Sequence, residues 1–355
     1  MSRERATLLC QANSCDAMGS PLYRSLLTRA ADGSDGGVAL RLLASRPAGE
    51  DLLANGIVLR LMAAVHRLAL AGSAPALAAH YPSCGGDTDH EAAWSGFVSA
   101  LRGHEATIRA DLDRPVQTNE VGWAAPLLGG FLHVAERFGL PLRLLELGAS
   151  AGLMLRWDAF RYGSAAWSWG PVRAGVRLTD HFEDVVPPFT ADTRVRIAER
   201  AGCDLAPIDP SNEADRRRLV SFVWADQTER IARLVAACEV ARAIPATIER
   251  CGAATWLAKR LATRRNGVVT VVFHTVVLQY LPVDERAALA NSLAEAGARA
   301  TFDAPLAYLS LEPLRNGNAE VLLRLWPGDR EIEISRASLH GRNVRWTRAG
   351  ADSHA

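Results

Sequence analysis

Lysine is almost missing from this 355-residue chain: Lys259 is the only one, and arginine supplies the rest of the positive charge. That excludes a phosphate-binding loop built on lysine and argues against Schiff-base or pyridoxal chemistry. An excess of either charge is also missing, and a net charge of +1 gives no ground for a nucleic-acid partner. Paired cysteines are absent too. Cys10, Cys15, Cys84, Cys203, Cys238 and Cys251 are scattered with no Cys-x-x-Cys, so neither a zinc ribbon nor a disulfide framework is expected. His80, Cys84 and His90 flank a Gly/Pro/Asp-rich stretch that reads as a surface loop, and no metal site is expected. The amino terminus has no apolar core of signal-peptide length, and the apolar run 267–281 is interrupted by His274 and Gln279. No membrane partner is therefore expected, and a reducing cytoplasm is the expected location.

What is present is the composition of an ordinary globular protein, 49% hydrophobic and 22% charged, long enough for about two domains. Residues 1–115 read as a helical domain. Leu53–Ala71 carries Val58, Leu61, Met62, Val65 and Leu68 on one face, and Ala92–Ala110 is a second helix. His66 lies beside the first stripe and reads as a satisfied core histidine. The polar quartet Gln117-Thr118-Asn119-Glu120 then precedes an apolar helix over 120–138. Thr118 or Asn119 is the expected N-cap, with Glu120 favourable in the first turn. Capping leaves Gln117 without a task, which suggests that the quartet faces a ligand.

Leu142–Leu147 is an apolar run of strand length that breaks at Gly148, and Gly152 opens a helical pattern. A strand–glycine turn–helix aims backbone N–H groups at a ligand, and the glycines let that ligand lie against main chain. Beyond it, Trp167–Trp169 and Val176–Asp180 read as a hairpin, and Thr193–Ala201 as a helix stopped by Gly202. Cys203–Asp209 is the expected second strand and Ala246–Cys251 the third. Gly267–His274 is the strongest strand, with a continuous β-branched run as for burial on both faces. A helix over Val283–Ala296 follows, and Leu306–Glu312, Glu320–Trp326, Glu331–Ser335 and Asn343–Thr347 close the chain as strands. Residues 116–355 thus form an α/β domain with insertions at about 160–200 and 212–244, built on a mostly parallel sheet with an antiparallel tail.

The form Glu146-x-Gly148-x-x-x-Gly152 resembles motif I of class I S-adenosylmethionine-dependent methyltransferases, and the order of elements from Glu120 to Thr347 is similar to their sheet. The resemblance implies a Rossmann-like sheet with an antiparallel C-terminal hairpin, S-adenosylmethionine as cofactor and a small-molecule acceptor. It implies cofactor contacts from Glu146, Gly148, Ser150 and Gly152. Asp209 would be the acid ending the second strand, with Asp180 as runner-up. His274 or Glu120 would be the base, and Gln117, Asn119, Gln279 and Tyr280 would hold the acceptor. The third-strand turn departs from the pattern, with Gly252-Ala253-Ala254 where an acid often stands.

The chain also looks like a bacterial family of unknown function, through Gln117–Glu120, Leu145–Leu153 and Trp224-Ala225-Asp226-Gln227. Two rival readings stay open. Gly148-Ala-Ser150-Ala-Gly152 fits the nucleophile elbow of an α/β-hydrolase, with Asp303 or Glu312 and then His340 as partners. A ligand-binding protein without catalysis is the other. The sequence sets no oligomeric state.

Overall fold

Six residues, Leu142–Leu147, form β1, and all are buried. Its leucines stand at odd and even positions alike, as in a strand covered on both faces, and Arg143 and Glu146 are buried beside them. Around β1 the computed structural model, which describes residues 1–183, 187, 189, 192–314 and 317–347, places the remaining strands. They are β2 (Arg161–Gly163), β3 (Ser168–Trp169), β4 (Arg177–Leu178), β5 (Ile197–Asp204), β6 (Thr247–Arg250) and β7 (Val269–Thr275), followed by β8 (Leu306–Pro313), β9 (Asn318–Trp326), β10 (Arg330–Ser338) and β11 (Arg345–Trp346).

Eight of them make one sheet in the order β11-β10-β9-β8-β7-β1-β5-β6. From β6 to β8 the pairs are parallel, whereas β9 and β10 join as antiparallel neighbours. By order of appearance the parallel strands lie 3-2-1-4-5, the arrangement of a doubly wound α/β sheet. The protein is therefore mixed α/β, and among the described residues no strand precedes Leu142. Nor is any described helix long and apolar enough to cross a membrane.

The chain separates into two units, Met1–Thr118 with Ser211–Val235, and Asn119–Pro210 with Ala236–Ala355. The first is helical. Its helix Ile57–Leu70 starts after Gly56, and the expected helix over 92–110 is two, His90–Gly103 and Glu105–Asp111, divided at His104. Residues 211–235 contribute to its core through Trp224, whose ring centroid lies 6.2 Å from that of Tyr23. Asp226 accepts from Ser20 Oγ at 2.6 Å and from the Leu22 amide at 3.2 Å, capping the helix Pro21–Ala31. Gln227 Nε2 donates to the Met18 carbonyl. The Trp224–Gln227 string thus has an architectural role. His66 is fully buried between the Ser221 carbonyl and Ser83 Oγ, as a satisfied core histidine, and burial pushes its pKa down to about 4.

In the second unit three expectations need correcting. The region Thr193–Ala201 is not a helix: β5 begins at Ile197 and pairs along β1 from Leu142 to Leu147. Its polar residues find partners on other elements, Glu199 with Arg143 Nε at 3.0 Å and Arg200 with Asp158 at 2.6 Å, and these outweigh local helix propensity. Gly202 is therefore not a helix stop. It sits inside β5, where a Cβ would lie 2.7 Å from Ala149 Cβ and 3.0 Å from the Glu146 carbonyl. Lastly, β3 and β4 do not form a hairpin, for they flank β2, antiparallel on one side and parallel on the other.

Candidate functional site

The carboxyl ends of β1 and β7 flank the point where strand order reverses, the place where open α/β sheets bind ligands. Gly148, Ser150 and Gly152 all adopt left-handed φ, at 63°, 51° and 64°. The tight turn they make leads into a 3-10 segment, Leu153–Ala159, kinked at Arg156, in place of the expected α-helix. A short 3-10 segment has too few aligned peptide dipoles to act as an anion-binding helix end. Side chains rather than a helix dipole therefore decide what the turn attracts.

Those side chains are mainly acidic. Glu146 is buried, and its Oε2 has no hydrogen-bond partner among the described residues. Burial raises its pKa well above the usual carboxyl value, against the opposing charge of Arg156, while Asp204 pushes in the same direction as burial. Arg156 is itself buried and spent on main chain, donating to the carbonyls of Gly152 at 2.6 Å, Ile244 at 2.9 Å and Ala241 at 3.3 Å. Burial lowers its pKa to about 10, with Glu146 pulling it back up.

The acid that ends β5 is Asp204, not Asp209. Asp204 Oδ2 accepts from the Ser150 amide at 2.9 Å and Oδ1 from the Ala206 amide at 2.7 Å. Asp209 falls beyond the strand, next to Ile208, whose amide donates to the Ser150 carbonyl. Sequence reading missed Asp204 because it took Cys203 as the start of a strand that in fact nearly ends there. The signal that points to it is the glycine two residues earlier, which the close approach of Ala149 and the Glu146 carbonyl requires. Asp180, the runner-up, lies far from β5 in the chain and contacts His181 Nδ1 at 2.8 Å and Arg342 at 3.1 Å.

His274 is positioned differently from the expectation. In a parallel pair, side chains in register share a face, and Leu147 is opposite His274 while Glu146 is opposite Phe273. The imidazole therefore points to the sheet face away from Glu146. It is fully buried there, with Nε2 at 2.6 Å from Tyr308 Oη and Nδ1 at 3.0 Å from Glu312 Oε1. Tyr308 is held neutral by burial and by the Glu312 charge, which push its pKa up. The arrangement is a carboxylate–imidazole–phenol row, built into the sheet rather than into an open crevice.

The polar quartet is divided between the units. Gln117 is buried in the first, while Asn119 and Glu120 belong to the second. Glu120, rather than Thr118 or Asn119, caps the turn Val121–Trp123, with Oε1 accepting from the Gly122 amide at 2.9 Å. That turn packs against Leu153–Ala159, the segment that follows the glycine turn. The Asn119 amide nitrogen is buried without a partner among the described residues. Gln279 and Tyr280 stand exposed on the 3-10 turn Leu278–Tyr280 that follows β7.

The space above Gly148 is taken by the protein itself: a Cβ built there would lie 2.6 Å from Val277 Cγ2. Beside Gly152 a Cβ would lie 2.8 Å from Ile248 Cδ1 and 2.9 Å from Arg156 Nη1. The glycines are thus required by packing as well as by φ.

A family model described as "Uncharacterized protein conserved in bacteria (DUF2332)" matches residues 5–346. No curated protein and no solved structure matches the chain.

Proposed function

The chain belongs to this bacterial family, and within it we propose an S-adenosylmethionine-dependent methyltransferase, or a methyltransferase-like binder of that cofactor, acting on a small molecule. One observation carries the reading: a 3-2-1-4-5 parallel sheet whose first strand ends in the glycine turn and whose second ends in an acid bonded to that turn. Glu146, held toward its neutral form by burial, has an Oε2 without a partner among the described residues to offer a polar group of the cofactor, and Asp204 sets a second acid at the turn. Asp204 takes over from Asp209 the role of the second-strand acid. Asn119, Glu120, Gln279 and Tyr280 border the acceptor side. The activated methyl group needs an acceptor held in line and dry more than it needs a base. His274, bonded to Tyr308 through Nε2 and with Nδ1 beside Glu312, is a positioning residue for β7 and β8 in this reading. Glu120 is then the candidate base.

The serine esterase remains a second reading because Ser150 adopts φ 51°, the kind of strained turn on which a nucleophile elbow places its serine. Its partners are not assembled as that reading needs. Asp303 is at the amino-terminal edge of the sheet, where its carbonyl accepts from the Gly267 amide ahead of β7. Glu312 is paired with His274 rather than with His340.

Titration with S-adenosylhomocysteine by calorimetry tests the first reading. Binding that Glu146→Ala weakens more than Ser150→Ala supports it, the latter change costing about tenfold or less. Covalent labelling of Ser150 by a fluorophosphonate would replace it with the second.

A further inference from the structure

Val277 occupies the space that a ligand lying on Gly148 would need, and the loop that holds it there has two unusual features. The preceding residue, Val276, has φ 53°. A β-branched side chain resists that left-handed conformation, so the covered state carries backbone strain at one position. The second feature is the anchor. Glu312, at the end of β8, accepts the amides of Val277 at 3.0 Å and Leu278 at 3.1 Å through a single oxygen, Oε1, the same atom that lies 3.0 Å from His274 Nδ1. Beyond the anchor Gln279 and Tyr280 face solvent, and Leu281 packs against the core at the far end of the loop.

We propose that residues 276–281 form a gate over the glycine turn, latched shut by the Glu312 carboxylate and hinged at Val276. Opening removes Val277 from Gly148, releases the strain at Val276, and exchanges the two Glu312 hydrogen bonds for water. The ligand admitted is of the nucleoside sulfonium class, and in that part the proposal rests on the function proposed above. His274 supports the latch from beneath, because its ring sits against the oxygen that holds the loop.

Two measurements separate the gate from the ligand. In ligand-free protein, hydrogen exchange at the Val277 and Leu278 amides should be slow, and Glu312→Ala should accelerate it by about tenfold or more while the amides within β7 and β8 keep their protection. Equal exchange in both proteins overturns the gate. Val277→Ala, which leaves the Glu312–His274 pair in place, supplies the second arm with S-adenosylhomocysteine as probe. It should raise the association rate, whereas Val276→Gly, which accepts the closed φ without strain, should lower it. Rates that move together, or not at all, overturn the gate. Absence of binding in all three proteins overturns the cofactor reading alone, with the exchange result still deciding the gate.

Discussion

Asp204 holds the backbone of Ser150: the carboxylate at the end of β5 accepts the serine amide at 2.9 Å, in the middle of a turn where three residues have left-handed φ. Its other oxygen takes the Ala206 amide at 2.7 Å, so one side chain fixes the turn after β1 and the exit from β5 together. Charge-assisted bonds to backbone N–H groups are stronger than neutral ones.

Asp204→Ala should therefore destabilise the second unit by about 1–3 kcal/mol, because two amides lose their acceptor at once. Asp204→Asn should recover part of that, since its amide oxygen still accepts. Urea denaturation followed by tryptophan fluorescence checks both.

Glu146 makes stability fall as pH rises. Burial lifts its folded-state pKa above the value of the unfolded chain, so between those two values the native protein holds a proton that the unfolded chain has lost. The stabilisation is complete below the unfolded pKa and is lost as pH climbs through the folded one, at about 1.4 kcal/mol for each pH unit between them. Glu146→Gln keeps the shape without the titration. It should gain on the parent from about pH 5 to pH 8 in urea midpoints, and a constant difference across that range would contradict the buried-acid account.

His66 acts in the opposite sense in the helical unit. Its pKa is lowered to about 4 by burial, so the folded protein refuses a proton that the unfolded chain accepts near pH 6.5. Stability is intact above the unfolded value and is lost as pH drops toward 4, by about 3 kcal/mol over the whole interval. His66→Gln should cost stability at pH 7 through the lost fit to Ser83 and Ser221. It should also flatten the acid limb of the denaturation curve, which melts recorded at pH 7, 6 and 5 will read.

By itself the sequence determined the elements whose identity is local. Leu142–Leu147 and the core of Gly267–His274 are strands because each presents apolar residues to both faces of the sheet, with Arg143 and Glu146 as the buried charges of the first. Helix Val283–Ala298 carried an equally local signal. The glycine turn too was legible, since its left-handed residues favour glycine at Gly148 and Gly152.

Only the tertiary structure decided the rest. Residues 197–204 form a strand in which Glu199 and Arg200 meet Arg143 and Asp158, distant in sequence. Its span moved the strand-ending acid from Asp209 to Asp204. It was the register of β1 against β7 that sent His274 to the face opposite Glu146: side chains alternate along a strand, so one residue of offset reverses the side to which each points.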